Sequence, residues 1–179
     1  MYAGFELGES EPLPDSEEYL DAEKYELRAR DWRKPGHLAD EIARLNHARR
    51  DNPALQTHLG LTFVDAANDA VLMFVKATPA YDNVIVVAIS LDPWHPQAAE
   101  FTLDAALYRG LGIVDGAPLD ALDLHASHAE AWHGHRQYVS LDPYVRPYAI
   151  WRVRPAPDAA RVAAAQAPAP GPGRHGGHG

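Results

Sequence analysis

Between residues 55 and 154, short runs rich in Val, Ile, Leu and Phe alternate with turn-forming residues. This alternation constrains the fold more than any other feature of the sequence. Strands are predicted at Leu59–Val64, Ala70–Lys76, Val84–Leu91 and Glu100–Leu103, and further ones at Leu119–Leu124, Gln137–Leu141 and Ala149–Val153. Ala-Asn-Asp at 67–69, the segment Pro79 to Asn83, and Asp92-Pro93 with Pro96 supply the turns between the first four. Each strand is too short to bury an apolar face alone. Seven or so such strands with turn punctuation predict an antiparallel β-sandwich, so the fold class is mainly β. No internal repeat stands out.

The segments around this region obey different rules. A helix is predicted over about 37–51, because Leu38, Ile42 and Leu45 recur at helical spacing and Ala39 and Ala43 widen the stripe. Asp40 and Glu41 in its first turn and Arg49 and Arg50 in its last suit the helix macrodipole, and Asn52-Pro53 stops it. Its stripe must be buried against something. Residues 1–35 are acidic and weakly periodic. Their aromatics Tyr2, Phe5, Tyr19, Tyr25 and Trp32 argue against simple disorder. Residues 155–179 are dominated by Ala, Pro, Gly and His and are predicted to be a disordered tail.

Composition narrows the function. A net charge of −9 argues against a protein that tracks a nucleic-acid backbone, which needs Lys and Arg to displace counterions. The chain has 0 Cys, which removes disulfides, thiolate catalysis and cysteine-bound zinc. No apolar run is long enough to span a bilayer and no signal-peptide pattern opens the chain, so a soluble, cytoplasmic protein is expected.

Two stretches carry a family likeness. Tyr2-Ala-Gly-Phe-Glu-Leu7 resembles the segment leaving the eighth strand of the (β/α)8 barrel of the α-amylase superfamily. Ser16-Glu-Glu-Tyr-Leu-Asp-Ala-Glu-Lys-Tyr25 resembles a stretch particular to its maltosyltransferases, which extend α-glucans from maltose 1-phosphate. The likeness continues through Leu45 to Gln56 and resumes at Asn83–Pro93 and Tyr138–Pro143. It covers roughly residues 1 to 154.

The resemblance implies an arrangement. Residues 1–53 would end a catalytic barrel, with the strand-eight loop and then the last helix. Residues 54–154 would be the C-terminal sandwich domain, and 155–179 the tail. Active sites of such barrels lie among the βα loops. The family's reaction moves maltosyl units from α-maltose 1-phosphate to the non-reducing end of an α-1,4-glucan with retention, releasing phosphate. Retention needs two carboxyl groups only about 5 Å apart. In the family these come from earlier barrel strands, so no catalytic residue is assigned here and the chain alone is expected to be inactive. Met1 stands where the family has an internal apolar residue, which suggests a start inside a longer polypeptide. By resemblance, Lys24 and Tyr25 contact the donor maltosyl unit: an ammonium offers three donors to sugar hydroxyls, and a phenol a flat body with a polar tip. Ala22 departs from the Ser expected in many relatives. No metal or organic cofactor is implied. The implied partners are the phosphorylated maltose and the glucan acceptor, with no nucleic acid and no membrane, and the intact enzyme would be a homodimer. The alternative is a stand-alone, non-catalytic α-glucan-binding sandwich module.

Other residues have plainer readings. Glu17, Glu18, Asp21, Glu23 and Glu26 are, without the resemblance, a solvated acidic run. Glu6 is either support for the barrel's active site or a structural carboxylate paired with an Arg. His125, His128, His133 and His135 offer imidazoles for a metal, but without a His-Glu-x-x-His helix they read as surface histidines in a loop. Trp94, Trp132 and Trp151 suit either a sugar-stacking platform or packing, and packing is the commoner use.

Overall fold

The computed structural model describes residues 4–9, 11–12, 14–15 and 29–159. Lys24, Tyr25, the acidic run from Glu17 to Glu26 and most of the predicted tail, 160–179, lie outside the described residues. The chain divides between Asp51 and Asn52 into two compact units.

In the first unit, a single 3-10 turn at Phe5–Leu7 is followed by helix α1, Ala39–Asp51. The His37 ring accepts the N–H of Ala39 at 3.3 Å, and the Leu38 N–H donates to the Glu6 carbonyl at 2.6 Å, tying the helix start to the turn. Arg44 bridges back to Glu41 at 2.8 Å, the i,i+3 spacing that places side chains together on a helix. The expected apolar stripe is not buried. α1 has no buried residue, and Leu38 and Leu45 remain 41% and 39% exposed. Helical period alone marks which face is apolar. Covering that face needs a second element, and the described part of this unit supplies too little surface to do it.

The second unit opens with a 3-10 turn at Pro53–Leu55 and continues, among the described residues, into eight strands. They are β1 Leu61–Phe63, β2 Val71–Ala77, β3 Val84–Ser90, β4 Gln97–Thr102, β5 Leu119–Asp123, β6 His128–Trp132, β7 Arg136–Leu141 and β8 Tyr148–Pro155. Between β4 and β5 lies a short helix α2, Ala105–Gly110, whose start is capped by Asp104 accepting the Ala106 N–H at 2.6 Å. Six strands form one sheet in the order β1-β2-β3-β8-β5-β6, and β4 pairs with β7 in a second. All pairings are antiparallel, such as Val86 opposite Trp151 and Ala99 opposite Val139.

The core lies between the two sheets. Val84, Val86 and Ala88 of β3 meet Ala149, Trp151 and Val153 of β8 and Leu119 and Ala121 of β5, and the small sheet closes over them with Phe101, Val139 and Leu141. β3 is buried on both faces, because its alternate residues Ile85 and Val87 join Ile150 and Ala54 in a second cluster on the far side of the large sheet. That explains its continuous apolar run, where an ordinary strand would alternate. The turn into β1 rests on Gly60 at φ +69°, where a Cβ would strike the Ala77 carbonyl. The mainly β, two-sheet architecture is the one the turn-punctuated sequence predicts. Two elements escaped that reading, β6 and α2.

Candidate functional site

The donor-contact candidates Lys24 and Tyr25 lie outside the described residues. Gly4 at φ +106° opens the Phe5–Leu7 turn, and Leu7 is buried. The Glu9 carboxylate lies 3.2 Å from Arg30 Nε. One carboxylate oxygen of Glu6 is buried without a hydrogen-bond partner among the described residues.

The histidines separate. His125 packs on the Tyr148 ring, with centroids 5.7 Å apart. His128 is not in a loop but at the start of β6, opposite Asp123. The loop expectation failed there because His-Ala-Glu-Ala-Trp has little strand propensity of its own, and pairing with β5 decides it. His135 is held between the Leu103 carbonyl, 2.8 Å from Nδ1, and Asp115, 3.2 Å from Nε2, with its ring against Tyr108. A ring engaged at both nitrogens is a structural fixture. Burial first, and then the charge of Asp115, pushes the Tyr108 phenol above its ordinary value, and its hydroxyl donates to the Gly134 carbonyl at 2.8 Å. No group of three or more His, Cys, Asp or Glu able to hold a metal occurs among the described residues.

The tryptophans separate too. Trp132 and Trp151 are buried edge to face at 5.3 Å, and Phe101 stands edge-on to Trp132 at 5.7 Å. Arg146 caps this stack, with its guanidinium 5.5 Å from the Trp151 centroid and a hydrogen bond to the buried Asp123 carboxylate. Asp123 also accepts the N–H groups of His125 and Ala126. Trp132 and Trp151 are core. Trp94 is 69% exposed.

Trp94 belongs to a device the sequence reading passed over. Ser-Leu-Asp-Pro followed by an aromatic occurs twice, as Ser90–Trp94 and Ser140–Tyr144, and Tyr144 is 74% exposed. In both, the Asp turns its carboxylate back onto the aromatic residue's own N–H: Asp92 accepts from Trp94 at 2.8 Å and Asp142 from Tyr144 at 2.9 Å. Asp92 further accepts from the His95 N–H at 3.1 Å and the Gln97 amide at 2.9 Å, and lies 3.1 Å from the His95 ring. The Trp94 N–H above all, with those of His95 and Gln97 and against the effect of burial, holds the Asp92 carboxyl below its ordinary value. The second turn is closed by Asp142 and Arg146 pairing backbone to backbone. The signal was present as a repeated pentapeptide, too short to register as a structural repeat.

Fold and surface together define a two-sheet antiparallel β domain with stiff, aromatic-tipped turns, following a separate helix-bearing unit. The chain belongs to the family described as GLGE, C-terminal, whose profile matches residues 63–153. It is 75% identical over 163 residues to the alpha-1,4-glucan:maltose-1-phosphate maltosyltransferase of Burkholderia pseudomallei, covering 91% of this chain and 14% of that protein. The enzyme of the same name from Pseudomonas aeruginosa is 49% identical over 154 residues, covering 86% of this chain and 23% of its own. The chain therefore spans less than a quarter of the length of either relative. An Anoxybacillus alpha-amylase structure matches 70% of this chain and 24% of its own at 19% identity and a TM-score of 0.48, too loose a likeness to bear on chemistry.

Proposed function

We propose that this chain is the C-terminal portion of a maltosyltransferase that moves maltosyl units from α-maltose 1-phosphate to the non-reducing end of α-1,4-glucans with retention, releasing phosphate. The observation that carries the reading is the 75% identity along 91% of the chain to an enzyme of that name. In this reading residues 1–53 finish a catalytic barrel, 54–154 form the domain that follows it in the chain, and 155–179 are a tail. The half-exposed stripe of α1 supports it, since an apolar helix face of that kind calls for a covering surface.

The division of labour follows from the chemistry. Breaking the bond between the anomeric carbon and the phosphate oxygen with retention takes a carboxylate nucleophile and a nearby carboxylic acid. Neither is assigned to this chain, which alone is inactive. Its contribution is to hold the donor. Lys24 donates hydrogen bonds to the maltosyl hydroxyls, and Tyr25 lends a flat ring and a hydroxyl. The intact protein works as a cytoplasmic homodimer.

Phosphate release from α-maltose 1-phosphate, measured with glycogen as acceptor, tests this. The chain by itself is expected to release none, and the chain joined to its upstream coding sequence to release it readily. Lys24→Met and Tyr25→Phe in that longer protein should raise KM for the donor about tenfold or more, the effect of losing one or two hydrogen bonds to a bound sugar. Transfer by the chain alone, or donor kinetics untouched by both substitutions, would overturn the assignment.

A further inference from the structure

The two Ser-Leu-Asp-Pro-aromatic turns meet at one end of the β domain. The first leaves β3 and enters β4; the second leaves β7 and enters β8. At one side they are joined by the Ser90 N–H donating to the Pro147 carbonyl at 2.8 Å, and at the other by Gln97 pairing with Leu141. They are neighbouring crossovers between the same two sheets. Each carries an aromatic side chain outward on a backbone already fixed by an Asp carboxylate, so presenting the ring costs little further ordering.

The chemistry of this end is selective. From Ser90 to Gln97 and from Ser140 to Val145 there is no Lys or Arg, and Arg146 is engaged with Asp123. The two Asp carboxylates are turned inward on their own loops. What remains is two flat rings, the exposed His95 imidazole beside Trp94, and the apolar edges of Leu91 and Val145. Such a surface presents no Lys or Arg to an anion. It suits a neutral ligand with C–H-rich faces for the electron-rich ring faces and hydroxyls for the polar rim. A second copy of the chain is a poorer fit. A stable interface takes about 800 Å² and roughly 20 residues from each partner, and these five side chains fall well short of that.

We propose that Trp94 and Tyr144 form an accessory binding platform for a linear α-1,4-linked glucan, the two turns gripping successive parts of one chain by stacking. This rests on the proposed function only for the identity of the glucan. The platform needs no catalytic residue and is testable in the chain as it stands.

The test is migration of the full chain through native gels containing increasing glycogen, with fluorescence titration by maltoheptaose. The wild type is expected to be retarded. Trp94→Ala and Tyr144→Ala should each weaken retention about fivefold or more, and the double variant should abolish it. Trp94→Phe, which keeps a flat ring, should restore most of it. Tyr138→Ala, at another exposed tyrosine, on β7 outside the turns, should change nothing. Melting temperatures close to the wild type's establish that the fold is intact. No retardation of the wild type, retention indifferent to Trp94 and Tyr144, or a wild-type dimer that Trp94→Ala dissociates would each overturn the platform. None of these outcomes bears on phosphate release by the longer protein. Equally, failure of transfer there would leave glycogen retention mapped to the two rings standing.

Discussion

The β domain and helix α1 put their apolar residues to opposite effect. In the β domain the small sheet closes over one face of the large one, and Trp151 ends 3% exposed within a ring of core side chains. In α1 the stripe is as regular as any strand's alternation, yet the helix buries none of its residues. The difference teaches that periodicity specifies which face wants cover, while burial depends on whether a second surface is present. A β-sheet supplies its own through crossovers to another sheet, and an isolated helix cannot.

Substitutions can break this contrast at points of decreasing force. Trp151→Ala removes the centre of the aromatic stack and the surface on which Arg146 lies, and should destabilise the β domain by about 3–5 kcal/mol in denaturant titration. A loss under 1 kcal/mol would mean the core is looser than its packing suggests. Asp123→Ala strips three donors of their acceptor, among them the Arg146 guanidinium. Because Arg146 is partly exposed and regains water, the cost should be on the order of 2 kcal/mol, read in the same titration. Leu45→Glu on the stripe should change the stability of this chain by no more than about 0.5 kcal/mol, as at other uncovered surface positions. In a longer protein whose barrel covers α1, the same change should cost several times more. An equal, small effect in both would remove the reason for supposing that α1 is covered.

The legibility of the elements follows the same physics. β2, β3, β5, β7 and β8 were readable because their residues are β-branched or alternate cleanly, and because Asn, Asp and Pro mark their ends. β6 was not, since His128-Ala-Glu-Ala-Trp132 has one buried residue, Trp132, and borrows its extended form from β5 at the sheet edge. α2 was missed for its brevity, although Asp104 before Ala-Ala-Leu is a cap signal. Among the candidate residues, the tryptophans were indistinguishable in sequence. Trp132 and Trp151 lie on strand positions facing the core, and Trp94 sits two residues beyond an Asp that fixes it outward.

Sequence alone determined the β class, the positions of most strands, the helix ahead of them and the family, because these rest on local period, turn chemistry and motif identity. Tertiary structure decided which strand joins which sheet, that β3 is buried on both sides, that His135 is locked between Leu103 and Asp115, and that two distant Asp-Pro turns stand side by side. Those outcomes depend on contacts between residues far apart in the chain, such as Val86 with Trp151 and Glu100 with Tyr138, and no local rule encodes contacts at that range.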